Sequence, residues 1–491
     1  MKYLYAFCLT FGVSTAFAQK QDVVRCATME NDSLLRSRHP KLGSLEDFER
    51  WLQERIRETR LNRDGGQIMT IPVVVHVIHN GEAVGAGTNI SDAQVLSQIE
   101  VLNEDFRKQY GTRGYNVHPD GADTRIEFCM ARRRPDGTAT TGINRINRNS
   151  MGWTAPPYTN TYIEGTIKPA TIWDPTRYLN MWVMDLGGGL LGYAQFPERS
   201  SLRGFDQATS CPNSPPAGTD GLVMLYSAFG STDVSSAFNL GFPYDKGRTT
   251  THEIGHWIGL RHIWGDGACP LDDFCQDTPT AGAANYGCVS VNSCTDTPTD
   301  FPDMVQNYMD YSDDACMNIF TYDQMVRMRT VMLNSPRRST LLTSNACVPP
   351  SFNDAAVVSV THPFGDYCSA SIAPVVTIRN NGGNNLTSVT VQWQVNSGPI
   401  QSLAWTGTLT PSATTTLTLP SITVALGEHT FKAWTTLPNG FADPQPQRDT
   451  VSTVFAYSLG IAPPFSENFE SNVFPPKFWR RVNVSNDCYT W

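Results

Sequence analysis

The 491-residue chain has no long run of lysine or arginine, and its formal net charge is −9. A surface that binds nucleic acid needs clustered basic charge, so that class of partner is not expected. Long hydrophobic runs are missing too. The apolar stretch from Tyr3 to Phe11 is too short to cross a bilayer, and no other segment is longer, so no membrane span is expected. Residues 352–456 hold no conspicuous histidine–carboxylate cluster, which directs the search for chemistry to the part before them.

The N-terminus has a definite pattern. Lys2 supplies a positive start, the apolar stretch follows, and Ala16-Phe17-Ala18 fits a small-x-small cleavage site. Residues 1–18 therefore read as a secretory signal rather than an anchor, and the protein is expected to be secreted. Secretion changes the meaning of the cysteines. Twelve are present; without Cys8 an odd number remains, so at least one thiol should stay unpaired in a compartment that favours disulfides. Cys269, Cys275, Cys288, Cys294 and Cys316 crowd one stretch, and their pairing is left open.

Residues 19–66 are polar and read as a pro-segment. Ser44 opens a helix in which Leu45, Phe48, Trp51, Leu52 and Ile56 recur at helical spacing, and Arg60 to Gly66 resembles an exposed joint. Residues 67–349 form the main domain. Strands are expected at Ile71–Ile78, Arg125–Arg132, Leu179–Met184, Leu190–Phe196 and Gly221–Tyr226. A helix capped by Ser91 should carry Val95, Ile99, Leu102 and Phe106, and another should run from Thr249 to Leu260. The expected fold is α/β: a twisted mixed sheet, a backing helix and an active-site helix beneath. Residues 350–460, rich in Thr, Val, Ser and Asn, suggest an all-β, Ig-like sandwich, with strands around Val375–Ile378, Val389–Trp393 and Thr416–Leu419. Residues 461–491 read as the start of a further, incomplete β-domain.

The chemistry is carried by His252, Glu253, His256, Gly259 and His262. Two histidines four apart share one helix face and can bind one tetrahedral zinc. Glu253 lies between them, placed to take a proton from the attacking water and pass it to the leaving amine. Gly259 allows the chain to turn back, so that His262 becomes the third ligand and a fourth position stays open. The longer spacing makes this far more specific than two histidines alone.

Asn307-Tyr308-Met309-Asp310-Tyr311 follows downstream. With Thr251 through Trp264, Asp277-Thr278-Pro279 and Leu190 through Pro197, this stretch resembles the pappalysin family of metzincin zinc proteases, in particular its ulilysin-like bacterial branch. The resemblance covers about residues 69–347 and implies several roles. Met309 would lie in a methionine turn beneath the zinc. Tyr311 would stabilise the oxyanion, unless it is only packed in the turn. The Leu190–Pro197 strand would pair with an extended substrate. The loop residues Asp272, Asp273, Asp277 and Thr278 would hold structural calcium, unless they form a solvated acidic loop. Asp313 and Asp314 are candidates for a pocket that favours Arg or Lys on the primed side.

Cys26, in Arg25-Cys26-Ala27-Thr28, is a natural choice for the unpaired thiol. As a thiolate it could take zinc's fourth position and keep a zymogen silent, as in related zymogens; the alternative is a disulfide to a mature cysteine. Cleavage near Arg60 or Arg63, by the enzyme itself or another, would release it. The function expected is a secreted zinc endopeptidase acting on proteins or peptides. The competing reading is an adhesin with a vestigial zinc site, whose C-terminal β-domains bind surfaces or other proteins.

Overall fold

Two helices, α1 (Thr28–Arg38) and α2 (Leu45–Leu61), precede the long strand β1 (Met69–His79) in a computed structural model that describes residues 23–39, 44–61, 66–199, 215–295, 300–350, 352–443 and 449–458. The expected signal, Arg63 of the expected joint and the expected last β-module lie outside these residues. Helix α1 falls in the part of the polar stretch before Ser44, where no helix is expected from the sequence.

After β1 come α3 (Asp92–Phe106), β2 (Ile126–Met130), β3 (Ile143–Asn147), β4 (Leu179–Met184), β5 (Gly192–Ala194) and β6 (Leu222–Leu225). They form one sheet in the order β2-β1-β4-β6-β5, with β3 also paired to β1. Every pairing is parallel except β5 with β6, so β5 is an antiparallel edge strand. Elements cover both faces of this sheet, which explains why β1 and β4 are buried along almost their whole length instead of alternating. On one face pack Val95, Ile99, Leu102 and Phe106 of α3, whose Ser91 cap accepts from the Gln94 amide. Ile163, Ile167 and Trp182 share a core on the other. His76 is enclosed in the sheet between Asn180 (2.9 Å) and Asn144 (3.0 Å), and burial pushes it down to about 4, so it is a neutral structural histidine.

Helix α4 (Arg248–Trp257) contacts α3, β5 and β6; α5 (Tyr322–Asn334) starts at a capping box of Thr321 and Gln324. Phe48, Trp51, Leu52 and Ile56 of α2 bury against Val331 of α5, and Glu49 forms a two-pronged pair with Arg327. Among the described residues, disulfides join Cys129 to Cys347, Cys269 to Cys294 and Cys288 to Cys316, whereas Cys26, Cys275 and Cys368 are free.

An all-β region follows, with strands β7 (Ala355–His362), β8 (Gly365–Tyr367), β9 (Ser371–Ile372), β10 (Val375–Asn380), β11 (Leu386–Val395), β12 (Gln401–Leu409), β13 (Thr414–Thr418), β14 (Ile422–Thr423), β15 (Gly427–Thr436) and β16 (Val451–Tyr457). The sheets β13-β10-β7 and β12-β11-β15-β16-β8 share one core that includes Val376, Ile378, Val391, Trp393, Phe431 and Phe455. Among the described residues no helix is long and apolar enough to cross a membrane.

One buried carboxylate fixes the end of α4. Asp220 accepts from the Trp257 indole at 3.0 Å and from Arg338 at 2.8 and 3.0 Å, and it also pairs with Arg337. Arg338 in turn stacks 3.8 Å over the Trp257 ring and donates to the Trp257 carbonyl. The two guanidinium groups hold the Asp220 carboxyl well below the usual carboxylate range despite its burial. Asp220→Asn removes the charge opposite two buried arginines, so urea unfolding should show a loss of about 3–5 kcal/mol. A loss below about 1 kcal/mol would mean that Asp220 does not organise this end of the helix.

Candidate active site

His252, Glu253 and His256 stand on α4, and each is at most 1% exposed. The helix ends at Trp257 rather than Leu260, because Gly259 takes φ +94° and turns the chain back. His262 is thereby returned to the helix. The His256 Nε2 lies 3.1 Å from that of His252 and 3.0 Å from that of His262.

The protonation of these rings follows from their outer partners. His252 Nδ1 faces the Tyr308 carbonyl at 2.8 Å, and His256 Nδ1 faces the Leu260 carbonyl at 2.9 Å. A carbonyl can only accept, so both Nδ1 atoms carry the hydrogen. His262 Nδ1 is bonded to the Asp266 carboxylate. Three Nε2 lone pairs therefore point at one another. Three acceptors without a donor repel, whereas a divalent cation between them is attracted to all three. Burial also pushes His252 and His256 down, the latter to about 3, which favours the neutral, ligating form. The donor set fits zinc.

Met309 lies beneath this cluster. A Cβ at position 255 would run into the Met309 sulfur, so Gly255 is the residue that admits it. The neighbouring Tyr308 carbonyl holds His252, and the Met309 carbonyl accepts from Ile263. Tyr311 stands edge-on to His262, 5.0 Å between ring centres. Burial raises its phenol, with Cys26 and Glu253 adding to the effect.

The N-terminal segment enters this site. Val24 adds parallel to the rim beside β5: its amide donates to Gly189 O at 3.0 Å, and its carbonyl accepts from Leu191 at 3.0 Å. The Ala27 amide donates to Gly192 O at 3.2 Å. Cys26 Sγ and the three imidazoles offer ligand atoms that all lie within 4.8 Å of one another, every residue buried. The Thr28 hydroxyl donates to Glu253 Oε2 at 2.8 Å and accepts the Ala194 amide at 2.7 Å. Glu253 Oε1 has no hydrogen-bond partner, and burial pushes the carboxyl up to about 8. Arg25 reaches a separate pocket. It donates to Asp314 Oδ1 at 3.0 Å and to Thr249, lies 4.4 Å over the Tyr244 ring, and is buried with Asp314. Asp314 Oδ2 accepts the amides of Lys246 (2.9 Å) and Arg248 (3.1 Å), capping α4 where Gly247 has no side chain to do so. Asp313 is half-buried and is not among the contacts of Arg25 in the described residues.

The expected calcium loop lies apart from the histidines. Asp273 Oδ1 accepts from Thr278 (2.7 Å) and the Cys275 amide (3.0 Å), while Asp273 Oδ2 and Asp277 Oδ1 are buried without partners. Burial pushes Asp273 up to about 7. Asp272 is exposed and turns back on the Phe274 amide.

Sequence reasoning missed Arg25, Thr28, Gly255 and Asp266. Asp266 could have been found as a carboxylate four residues past His262. Arg25 and Thr28 carry no signal until Cys26 is placed in the site.

Comparison with known proteins supports the geometry. Residues 237–333 match a family described as pregnancy-associated plasma protein-A, Peptidase M43. The chain is 29% identical over 267 residues to an extracellular metalloprotease of Pyricularia oryzae, spanning 54% of this chain and 75% of that one. It is 37% identical over 264 residues to extracellular metalloprotease 1 of Coccidioides posadasii, spanning 52% and 74%. Among solved structures, a promirolysin mutant of Tannerella forsythia superposes with a TM-score of 0.51 at 36% identity, covering 65% of this chain and 96% of that one. The chain therefore belongs to the pappalysin family of metzincins and is a zinc metalloendopeptidase.

Proposed function

We propose that this chain is the secreted zymogen of an endopeptidase in which His252, His256 and His262 hold zinc, Glu253 moves the proton, and Cys26 blocks the fourth ligand position. One observation carries the reading: three Nε2 lone pairs and a thiol converge on one point, with a carboxylate beside them. The extracellular names of the relatives and the signal-like residues 1–18 support secretion. The family assignment displaces the adhesin alternative.

Zinc, when bound, supplies a Lewis acid that polarises the scissile carbonyl and acidifies water. The chain's own groups do the rest. Glu253 takes a proton from the attacking water and returns it to the leaving amine; its buried, partly unpartnered carboxyl suits both roles. Tyr311, with its ring against His262, offers a phenol to the oxyanion. The rim at β5 offers backbone groups to an extended peptide, as it does to Val24 and Ala27.

In the latent state Cys26, Thr28 and Arg25 take the places of ligand, substrate and specificity side chain together. The Thr28 amide, 3.3 Å from Cys26 Sγ, would stabilise the thiolate that a metal requires. Arg25 supports a preference for Arg or Lys on the primed side, since Asp314 already receives a guanidinium. Cleavage near Arg60 or Arg63 would then free the segment. The unpartnered oxygens of Asp273 and Asp277, with Thr278 beside them, support a structural calcium in the loop after α4.

Three outcomes are expected. Processed Glu253→Gln should retain its zinc but lose at least about a hundredfold in kcat on a peptide substrate; wild-type turnover would remove Glu253 from the chemistry. Unprocessed Cys26→Ala should cleave a short fluorogenic peptide before any chain break is visible on a gel. If it is as silent as the wild-type zymogen, the thiol is not the block. In processed Asp314→Asn, kcat/KM for Arg over Leu at the first primed position should fall about 10–100-fold, the worth of one charged hydrogen bond. An unchanged ratio would place the pocket elsewhere.

A further inference from the structure

The rim strand β5 has only three residues, and it is bonded to the rest of the sheet along one side. Tyr193 pairs with Val223 of β6, and the amides of Leu225 (to Leu191 O, 2.8 Å) and Gln195 (to Gly221 O, 3.0 Å) close the same side. Gly192 and Ala194 turn their backbone groups the other way, where they meet the Ala27 amide and the Thr28 hydroxyl. An edge that must stay open to a peptide cannot be fixed by a further strand, so its position depends on what its side chains meet. Ala194 lies in the core shared with α4, whereas the Tyr193 ring lies in the core on the opposite face of the sheet.

On that face Tyr193 ends on a buried charge. Its hydroxyl donates to Glu164 Oε1 at 2.8 Å, and Lys168 Nζ lies 2.5 Å from the same oxygen. The Lys168 and Glu164 side chains are 0% and 2% exposed. The two stand four residues apart on a helical stretch, 160–171, whose middle part Ile163–Ile167 is π-helical. Lys168 also donates to the Thr219 carbonyl at 3.2 Å, just ahead of Asp220 and β6, and lies 4.9 Å over the Tyr193 ring. Burial and the Glu164 carboxylate push the Tyr193 phenol up, so it remains a donor. The chemistry at the zinc site uses none of these groups. Opposite charges withdrawn from water add little stability over apolar side chains of the same size. What they add is direction: a hydrogen bond fixes a distance and an angle, whereas hydrophobic burial is non-directional.

We propose that Glu164 and Lys168 act through Tyr193 as positioning residues for β5, and so set how tightly an extended peptide is held without touching it. The inference rests on the reading that the β5 edge takes the substrate. Tyr193 lies between the two residues whose backbone groups face that edge, so the height of its ring sets the height of both. Lys168 joins the same anchor to the chain that enters β6, which keeps the only strand bonded to β5 in step with it. The trio touches neither the histidines nor Glu253, so its loss should weaken peptide binding and spare the chemical step.

The test uses processed, zinc-loaded enzyme and a long fluorogenic peptide, with a set in which one backbone amide at a time is N-methylated. In the wild type one such change should raise KM, because it deletes the amide that does for a substrate what Ala27 does for the pro-segment. Tyr193→Phe removes a single hydroxyl. Its KM for the unmodified peptide should rise about threefold to tenfold, with kcat within about twofold of wild type. The additional cost of N-methylation should shrink in the variant. Glu164→Gln should move KM in the same direction; if it does not fold, Tyr193→Phe decides. A wild-type KM in Tyr193→Phe, whatever its Tm, makes the trio structural only and overturns the proposal, provided that the wild type responds to N-methylation. If the wild type responds at no position, the rim reading itself fails and the positioning role falls with it.

Discussion

The outer nitrogens of three histidines are all engaged, and the organisation of the site depends on that. His252 and His256 give their Nδ1 hydrogens to the carbonyls of Tyr308 and Leu260, and His262 is bonded to Asp266. Each partner fixes a tautomer and a ring plane, so the inner lone pairs have no direction left but inward. The surrounding architecture serves those partners. The Tyr308 carbonyl is set by the Met309 turn, which Gly255 admits; the Leu260 carbonyl is set by the left-handed Gly259; and the end of α4 is held by Asp220 through Trp257. Such convergence is unfavourable without a cation, and it is a preorganised site with one.

The N-terminal segment in the proposed zymogen is built to meet the same groups. It meets the backbone edge at β5, the carboxylate of Glu253 and Asp314, three features to which separate duties toward a substrate are proposed. Asp314 has a further duty, since one of its oxygens caps α4 while the other meets Arg25. The proposed specificity pocket and the start of the active helix are thus one structure. The anchor of α2 on α5 through Glu49 and Arg327 reaches the same centre, because Arg327 also donates to the Gly259 carbonyl. Loss of the segment removes the partner of a buried arginine next to the turn that returns His262.

The zinc motif was legible because its chemistry lies within eleven residues of sequence, where one helix and the glycine turn that follows it bring the side chains together. The strands β1, β4 and β6 were legible as apolar runs, since a sheet covered on both faces leaves a continuous signal. Helix α3 was legible through its Ser91 cap and its period. What could not be read depends on residues far apart. β3 is half-buried and pairs only with the end of β1, and helix α1 has no apolar stripe to announce it. The disulfide pairs of the cysteine-rich loop needed a folded chain. Which of Asp313 and Asp314 meets a cationic side chain was open for the same reason: of the two neighbours, Asp314 is the one that pairs with Arg25.

Zinc K-edge X-ray absorption on the intact chain and on the processed enzyme tests the central claim most directly. The account predicts three nitrogen ligands near 2.0–2.1 Å and one sulfur near 2.3 Å before processing, and the same nitrogens with an oxygen in place of the sulfur afterward. An intact chain with no zinc, or with zinc bound by fewer than three imidazoles, would contradict it.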